Sequence, residues 1–151
     1  MLFRKILLNL LAACLVPIVL SLLSLPDLYN AVFHQQYEYY DFQIESLDRY
    51  LYLKYGQVFI PLLIISLIFF FFPFQLIKDI YRRDGNSEML TFFRKWLLLT
   101  LIILASIVFF GSIFNIWWDP LYKNLVYIPF AAGFGLIFTT FFHYTLDRYQ
   151  E

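Results

Sequence analysis

The stretch Lys78-Asp79-Ile80-Tyr81-Arg82-Arg83-Asp84-Gly85-Asn86-Ser87-Glu88, continued by Phe92-Phe93-Arg94-Lys95, is the one strongly charged island between two long apolar runs. It holds five of the chain's eleven basic residues: Lys78, Arg82, Arg83, Arg94 and Lys95. A short basic island between two membrane spans reads as a cytoplasmic turn, because Lys and Arg are retained on the inner side of a bilayer. These five residues are the expected topology anchors. Asp84-Gly85-Asn86-Ser87 is a turn by composition, and Asn86 or Ser87 is placed to cap a helix beginning near Glu88.

On either side of the island the charge disappears. Residues 56–77 and 96–118 carry no Asp, Glu, Lys or Arg, and neither do residues 6–25 and 124–144. Some twenty apolar residues in a helix cross about 30 Å of hydrocarbon, so four spans are expected at these positions. Pro17, Pro61 and Pro73 fall inside them, which membrane helices tolerate. The whole chain is 62% hydrophobic, 23% aromatic and only 15% charged. That is too little charge to cover the surface of a 151-residue soluble domain. No linker rich in Pro, Gly or Ser divides it, so one domain of residues 1–151 is expected.

The first apolar run has two other readings. A basic start before an apolar run also marks a cleaved secretory signal, and Leu11-Ala12-Ala13-Cys14 resembles a lipoprotein cleavage box. Apolar residues continue for eleven positions past Cys14, longer than a signal requires. The run is read as a span, with Cys14 an ordinary thiol within it.

Between the first two spans lies an outer loop, residues 26–55, ended on its upstream side by Pro26-Asp27. Its acidic residues Asp27, Glu38, Asp41, Glu45 and Asp48 outnumber Arg49 and Lys54 by three (5 − 2). Tyr37, Tyr40, Ile44, Leu47 and Leu51 recur at spacings of three and four, which predicts an amphipathic helix over 37–55. Glu38, Asp41, Glu45 and Asp48 form a neighbouring stripe, and Glu45 and Arg49 are spaced for an i,i+4 pair. Tyrosines suit the membrane interface, so this is an interfacial brace or a surface that meets a partner, with Tyr37, Glu38, Tyr40, Asp41, Glu45 and Asp48 as the contact residues.

After the island, Asn115-Ile116-Trp117-Trp118-Asp119-Pro120 reads as an interface exit with paired indoles. The fourth span follows a short connection. Within it Ala131 and Gly135 make a small-xxx-small step that permits close helix approach. Phe69-Phe70-Phe71-Phe72 reads as lipid-facing bulk, and residues 147–151 as a solvated tail. Eight basic residues (Arg4, Lys5, Lys78, Arg82, Arg83, Arg94, Lys95, Arg148) fall on the side of the termini, against three (Arg49, Lys54, Lys123) on the other. Both termini are therefore expected in the cytoplasm.

The expected fold is all-α: a membrane bundle of four transmembrane helices with an amphipathic interfacial helix in the first outer loop. Ionisable residues are missing from the centres of the spans, which argues against a proton pump, an ion-coupled carrier or an intramembrane metalloprotease. His34 and His143 fall at different depths and cannot share a haem. Cys14 has no neighbouring base, no phosphate loop is present, and zero net charge gives no field for nucleic acid. Neither a cofactor nor a metal site nor enzymatic activity is expected. What remains is helix–helix packing in the bilayer, with hydrogen bonds from Asn9, Gln57, Gln75, Ser106, Ser112 and Thr139.

The segment from Phe74-Gln75-Leu76-Ile77-Lys78 through Arg83-Asp84-Gly85-Asn86 to Arg94 passes from an apolar span through a basic step and an Asp/Asn turn to an Arg before the next span. With its topology, the chain resembles the four-span immunity proteins that protect bacteria against pore-forming colicins, the colicin A type in particular. Its connection between the third and fourth spans is much shorter than in that pattern. The resemblance implies a non-enzymatic protein of the bacterial inner membrane that binds the helices of an inserting toxin laterally, before the channel opens. The alternatives are a subunit or assembly factor of a larger membrane complex, or a small transport or channel component lined by Gln57, Gln75, Ser106 and Thr139.

Overall fold

The computed structural model describes residues 1–22, 24–39, 42–85, 91–117 and 120–149. Among the described residues, five helical stretches carry most of the chain: α1 (Leu2–Leu22), α2 (Leu25–His34), α3 (Leu47–Arg83), α4 (Phe92–Phe114) and α5 (Tyr127–Thr145). Four helices, α1, α3, α4 and α5 with the turn that leads into it, are long and apolar enough to cross a membrane. The chain forms two compact units, one of Met1–Asn9 with Leu67–Glu151 and the other of Leu10–Ser66.

The first loop differs from its sequence reading. Pro26 and Asp27 do not merely end a span; they occupy the first turn of α2. Proline there loses no helical hydrogen bond, and the carboxylate meets the positive end of the helix dipole. Gln35 closes α2 in the left-handed conformation at φ 52°, its N–H returning to the Asn30 carbonyl. Next, β1 (Glu38–Tyr39) pairs antiparallel with β2 (Phe42–Gln43), and the Ile44 N–H reaches the Tyr37 carbonyl at 2.9 Å. The helix predicted over 37–55 therefore starts only at Leu47. Ser46 fixes that start by accepting the Arg49 N–H on its hydroxyl, the usual role of a serine N-cap. Tyr39 and Phe42, which pair across the two strands, are residues that favour a pleated pair, and this preference prevails over the helical spacing expected across 37–55. Glu45 precedes the cap, so its i,i+4 relation to Arg49 does not arise.

Helix α3 runs 37 residues with two π-helical segments, Tyr52–Gly56 and Ser66–Phe71. In its first part Tyr50 is buried, the Tyr55 hydroxyl meets Ser24 at 2.8 Å, and Lys54 donates to Asp27 and to the Tyr50 hydroxyl.

Within the other unit, α4 and α5 are joined by a 3-10 turn, Leu121–Val126, and packed closely. Trp96 donates its indole N–H to the Ala132 carbonyl at 2.8 Å. A Cβ on Gly135 would lie 2.7 Å from the Thr100 hydroxyl, so the small step Ala131/Gly135 is where the two helices approach. Both of those residues are buried, as are Leu99, Ile103 and Thr139. Phe71 is fully buried between Phe138 and Phe142, at ring distances of 5.1 and 5.3 Å. Phe72 points outward. The phenylalanine block is thus split between core and surface instead of facing lipid throughout, because a helix turns about 100° per residue.

Candidate functional site

The residues that bring chemistry together lie in the unit of residues 1–9 and 67–151. Lys78 and Arg82 are one turn apart on α3, so both reach the same side. Lys95 stands in the first turn of α4, which Thr91 caps by accepting the Arg94 N–H. Asp147 opens a short 3-10 turn just past the end of α5. These four side chains converge. Lys78 Nζ donates to Asp147 Oδ1 at 2.9 Å, Arg82 reaches the same oxygen at 3.2 Å, and Lys95 Nζ pairs with Oδ2 at 3.0 Å.

Their burial decides what kind of site this is. The side chains of Lys78, Lys95 and Asp147 are 0%, 1% and 1% exposed. A buried charge is tolerated only when paired and hydrogen-bonded, and here one carboxylate serves two ammonium groups and a guanidinium. Lys78 also lies 4.5 Å from the centre of the Phe74 ring and 5.7 Å from that of Phe142, so the rings share its charge. Burial acting alone would raise the Asp147 carboxyl, but the charges and hydrogen bonds of Lys78 and then Lys95 outweigh it. The result is a carboxylate held below its ordinary range.

Around this centre the ends of other segments gather. Lys5 pairs with Asp79, and Arg4 donates to the Thr145 carbonyl at 3.0 Å. One turn deeper, Asn9 accepts from Gln75 at 3.2 Å in a buried contact. The start of α1, the end of α3, the start of α4 and the end of α5 are thereby tied together at one end of this unit.

Several sequence readings change here. The solvated tail expected over 147–151 does not hold at its first residue, since Asp147 is the most heavily paired carboxylate among the described residues. The topology anchors divide: Lys78 and Lys95 are buried, Arg82 is 22% exposed, and Arg83 and Arg94 face outward. His143 packs edge-on against Phe92 at 5.5 Å, and its Nδ1 is buried with no hydrogen-bond partner among the described residues. Among the polar residues of the spans, Ser106 and Thr140 bond back to carbonyls of their own helices. The Thr100 and Thr139 hydroxyls have no partner among the described residues.

The contact residues expected in the first loop are not brought together as one helical face. Tyr37 is half-buried, its ring 6.2 Å from that of Tyr50. Glu38 belongs to β1, while Glu45 and Asp48 are exposed on either side of the Ser46 cap. Tyr40 and Asp41 lie outside the described residues, as do Asn86, Ser87, Glu88, Trp118 and Asp119. The described residues hold no group of three or more His, Cys, Asp or Glu that could bind a metal ion.

Sequence spacing could not reveal the central cluster, because Lys78 and Asp147 are 69 positions apart. The one local signal was an acid directly after an apolar span, facing three basic residues beside other span ends. Compared with known proteins, the chain matches no family model, no curated protein and no solved structure.

Proposed function

We propose that this chain is a non-enzymatic, multi-pass protein of the bacterial inner membrane that works by lateral helix–helix binding, protecting the cell against a pore-forming bacteriocin. The observation that carries this reading is how little of the spans is used internally. Only 22%, 22%, 28% and 33% of the most apolar windows of the four spans is buried, so most of each span is left to meet lipid or another helix. On α4 the outward residues Leu97, Leu101, Ala105, Val108 and Ser112 recur at steps of four and three, the spacing of a helix-packing seam. Ala105 and Ser112 keep that seam shallow enough for a partner backbone to approach.

Both termini are cytoplasmic in this proposal, with the inner turn 78–95 beside them. The eight-to-three distribution of basic residues supports that orientation, as does the meeting of Arg4, Lys5, Lys78, Lys95 and Asp147 at one end of their unit. In the first loop, α2 is the amphipathic element offered to the membrane interface: Leu25, Tyr29, Val32 and Phe33 recur at helical spacing and are exposed. A channel built from several copies has less support, since Gln57 alone of its four lining residues is exposed, while Gln75, Ser106 and Thr139 are buried.

Expression of the chain in sensitive cells, followed by challenge with a panel of pore-forming toxins, tests the proposal. Survival against at least one toxin is expected, and it should be lost in Ala105→Trp, which blocks the α4 seam while leaving the interior untouched. Unchanged killing across the panel would refute the protective role.

A further inference from the structure

At the charged end of the unit of residues 1–9 and 67–151, lysine and arginine have different jobs. The three lysines there are paired with aspartates: Lys5 with Asp79, and Lys78 and Lys95 with Asp147. The arginines form the outside. Arg4, Arg83, Arg94 and Arg148 are exposed, and Arg82 bridges the two layers with 22% of its side chain accessible. Five of the chain's six arginines are therefore at this end. Contacts of Arg4 with the Thr145 carbonyl, Lys5 with Asp79 and Arg82 with Asp147 hold the segments that carry them together.

The neighbours of this rim are apolar. Leu2, Phe3, Tyr81 and Phe93 are all exposed beside it, at the ends of helices long enough to cross a membrane. A planar guanidinium offers a rigid fork of donors matched to two phosphate oxygens, whereas an ammonium is a compact point charge. Arginines on several converging helix ends, with aromatic and aliphatic residues adjacent to them in the chain, match a phosphodiester whose acyl chains continue into hydrocarbon. Zwitterionic lipids cancel that phosphate with their own cation; anionic lipids do not.

We propose that the arginine rim of Arg4, Arg82, Arg83, Arg94 and Arg148 is a headgroup-binding surface for anionic phospholipid, held in shape by the buried Lys78–Asp147–Lys95 cluster beneath it. The proposal rests on the membrane reading of the four apolar helices. Two layers make the chemistry possible. The buried lysines are neutralised by Asp147 and set the positions of the helix ends, while Arg4, Arg83, Arg94 and Arg148 keep exposed side chains around them even where, as at Arg4, they also hold a neighbouring segment.

The test uses the full chain, purified in mild detergent and reconstituted into vesicles of phosphatidylcholine alone or with phosphatidylglycerol, with retained lipids counted by native mass spectrometry. Phosphatidylglycerol should be enriched over phosphatidylcholine. Juxtamembrane basic residues contribute enough that each arginine removed should lower the enrichment about fivefold, so R83Q/R94Q/R148Q should abolish it. K123Q, at an exposed residue before the opposite end of α5, should leave it unchanged, and 1 M salt should suppress it by screening. Insertion into both vesicle types with no enrichment, or equal loss in K123Q, would overturn the headgroup surface and leave the membrane reading standing. Displacement of the lipid by millimolar inorganic phosphate would assign the rim to a soluble anion instead. Failure to insert into either vesicle would remove the membrane reading and the proposal with it.

Discussion

Two lysine–aspartate pairs in this protein have the same length and opposite significance. Lys54 meets Asp27 at 2.9 Å with the two side chains 21% and 63% exposed. Lys78 meets Asp147 at 2.9 Å with both essentially sealed. In the first pair water competes for both charges, so little is gained by pairing and little is lost without it. In the second no water replaces a missing partner, so the pair is obligatory once its lysines are inside. Distance alone does not rank ion pairs; the medium around them does.

The sharpest way to break this contrast is Asp147→Asn, which leaves Lys78 and Lys95 buried without their carboxylate. A loss of about 3–5 kcal/mol is expected, read as the shift in a denaturation midpoint in detergent micelles. The same pair sets an acid limit. The Asp147 carboxyl lies below its ordinary range when folded, so its stabilisation is complete above the unfolded value of about 3.9 and disappears as pH falls below that through the folded value. Thermal unfolding of the wild type should steepen with pH in that acid window, and Asp147→Asn should flatten the dependence.

Close packing in the same unit predicts the next effect. Gly135→Leu would drive a side chain into Thr100 and should cost about 1–3 kcal/mol. A Cβ on Gly133, two residues earlier, would meet nothing within 4 Å. Gly133→Ala should therefore stabilise α5 by about 0.5–1 kcal/mol, the helical penalty of glycine relieved. Equal effects at the two positions would show that the α4–α5 approach is looser than the structure has it.

In the other unit the expected effects are smaller. Ser46→Ala removes the cap that starts α3 and should cost about 1 kcal/mol, visible as earlier hydrogen exchange of the Arg49 amide. Asp27→Asn should cost less than about 1 kcal/mol. If Asp27→Asn proved as costly as Asp147→Asn, burial would not be what separates the two pairs.

The four long helices were legible because each is announced by a charge-free run near twenty residues, and nothing else in a chain this short accounts for such runs. Their ends were less legible. Leu47–Arg83 overruns its expected span, since a helix does not have to stop where charge resumes. The first loop was less legible for a different reason. Tyr37, Tyr40, Ile44, Leu47 and Leu51 satisfy helical spacing, yet Gln35 in the left-handed conformation and Ser46 as a cap divide the stretch. Meanwhile Leu25, Tyr29, Val32 and Phe33 carried an amphipathic signal that Pro26 obscured, because proline can begin a helix as well as end one.

By itself the amino-acid sequence determined that four stretches must be helical and apolar, because uncharged backbone of that length has to satisfy its own hydrogen bonds away from water. It also determined that basic residues collect around the turn 78–95 and the two termini. Only the tertiary structure decided which of those residues stay in water. Lys78 and Lys95 go inside because Asp147, far along the chain, arrives between them to make burial tolerable, while Arg82 reaches in part-way and Arg83, Arg94 and Arg148 remain outside. Local composition cannot encode that division: a buried charge depends on a partner brought to it by the packing of distant helices.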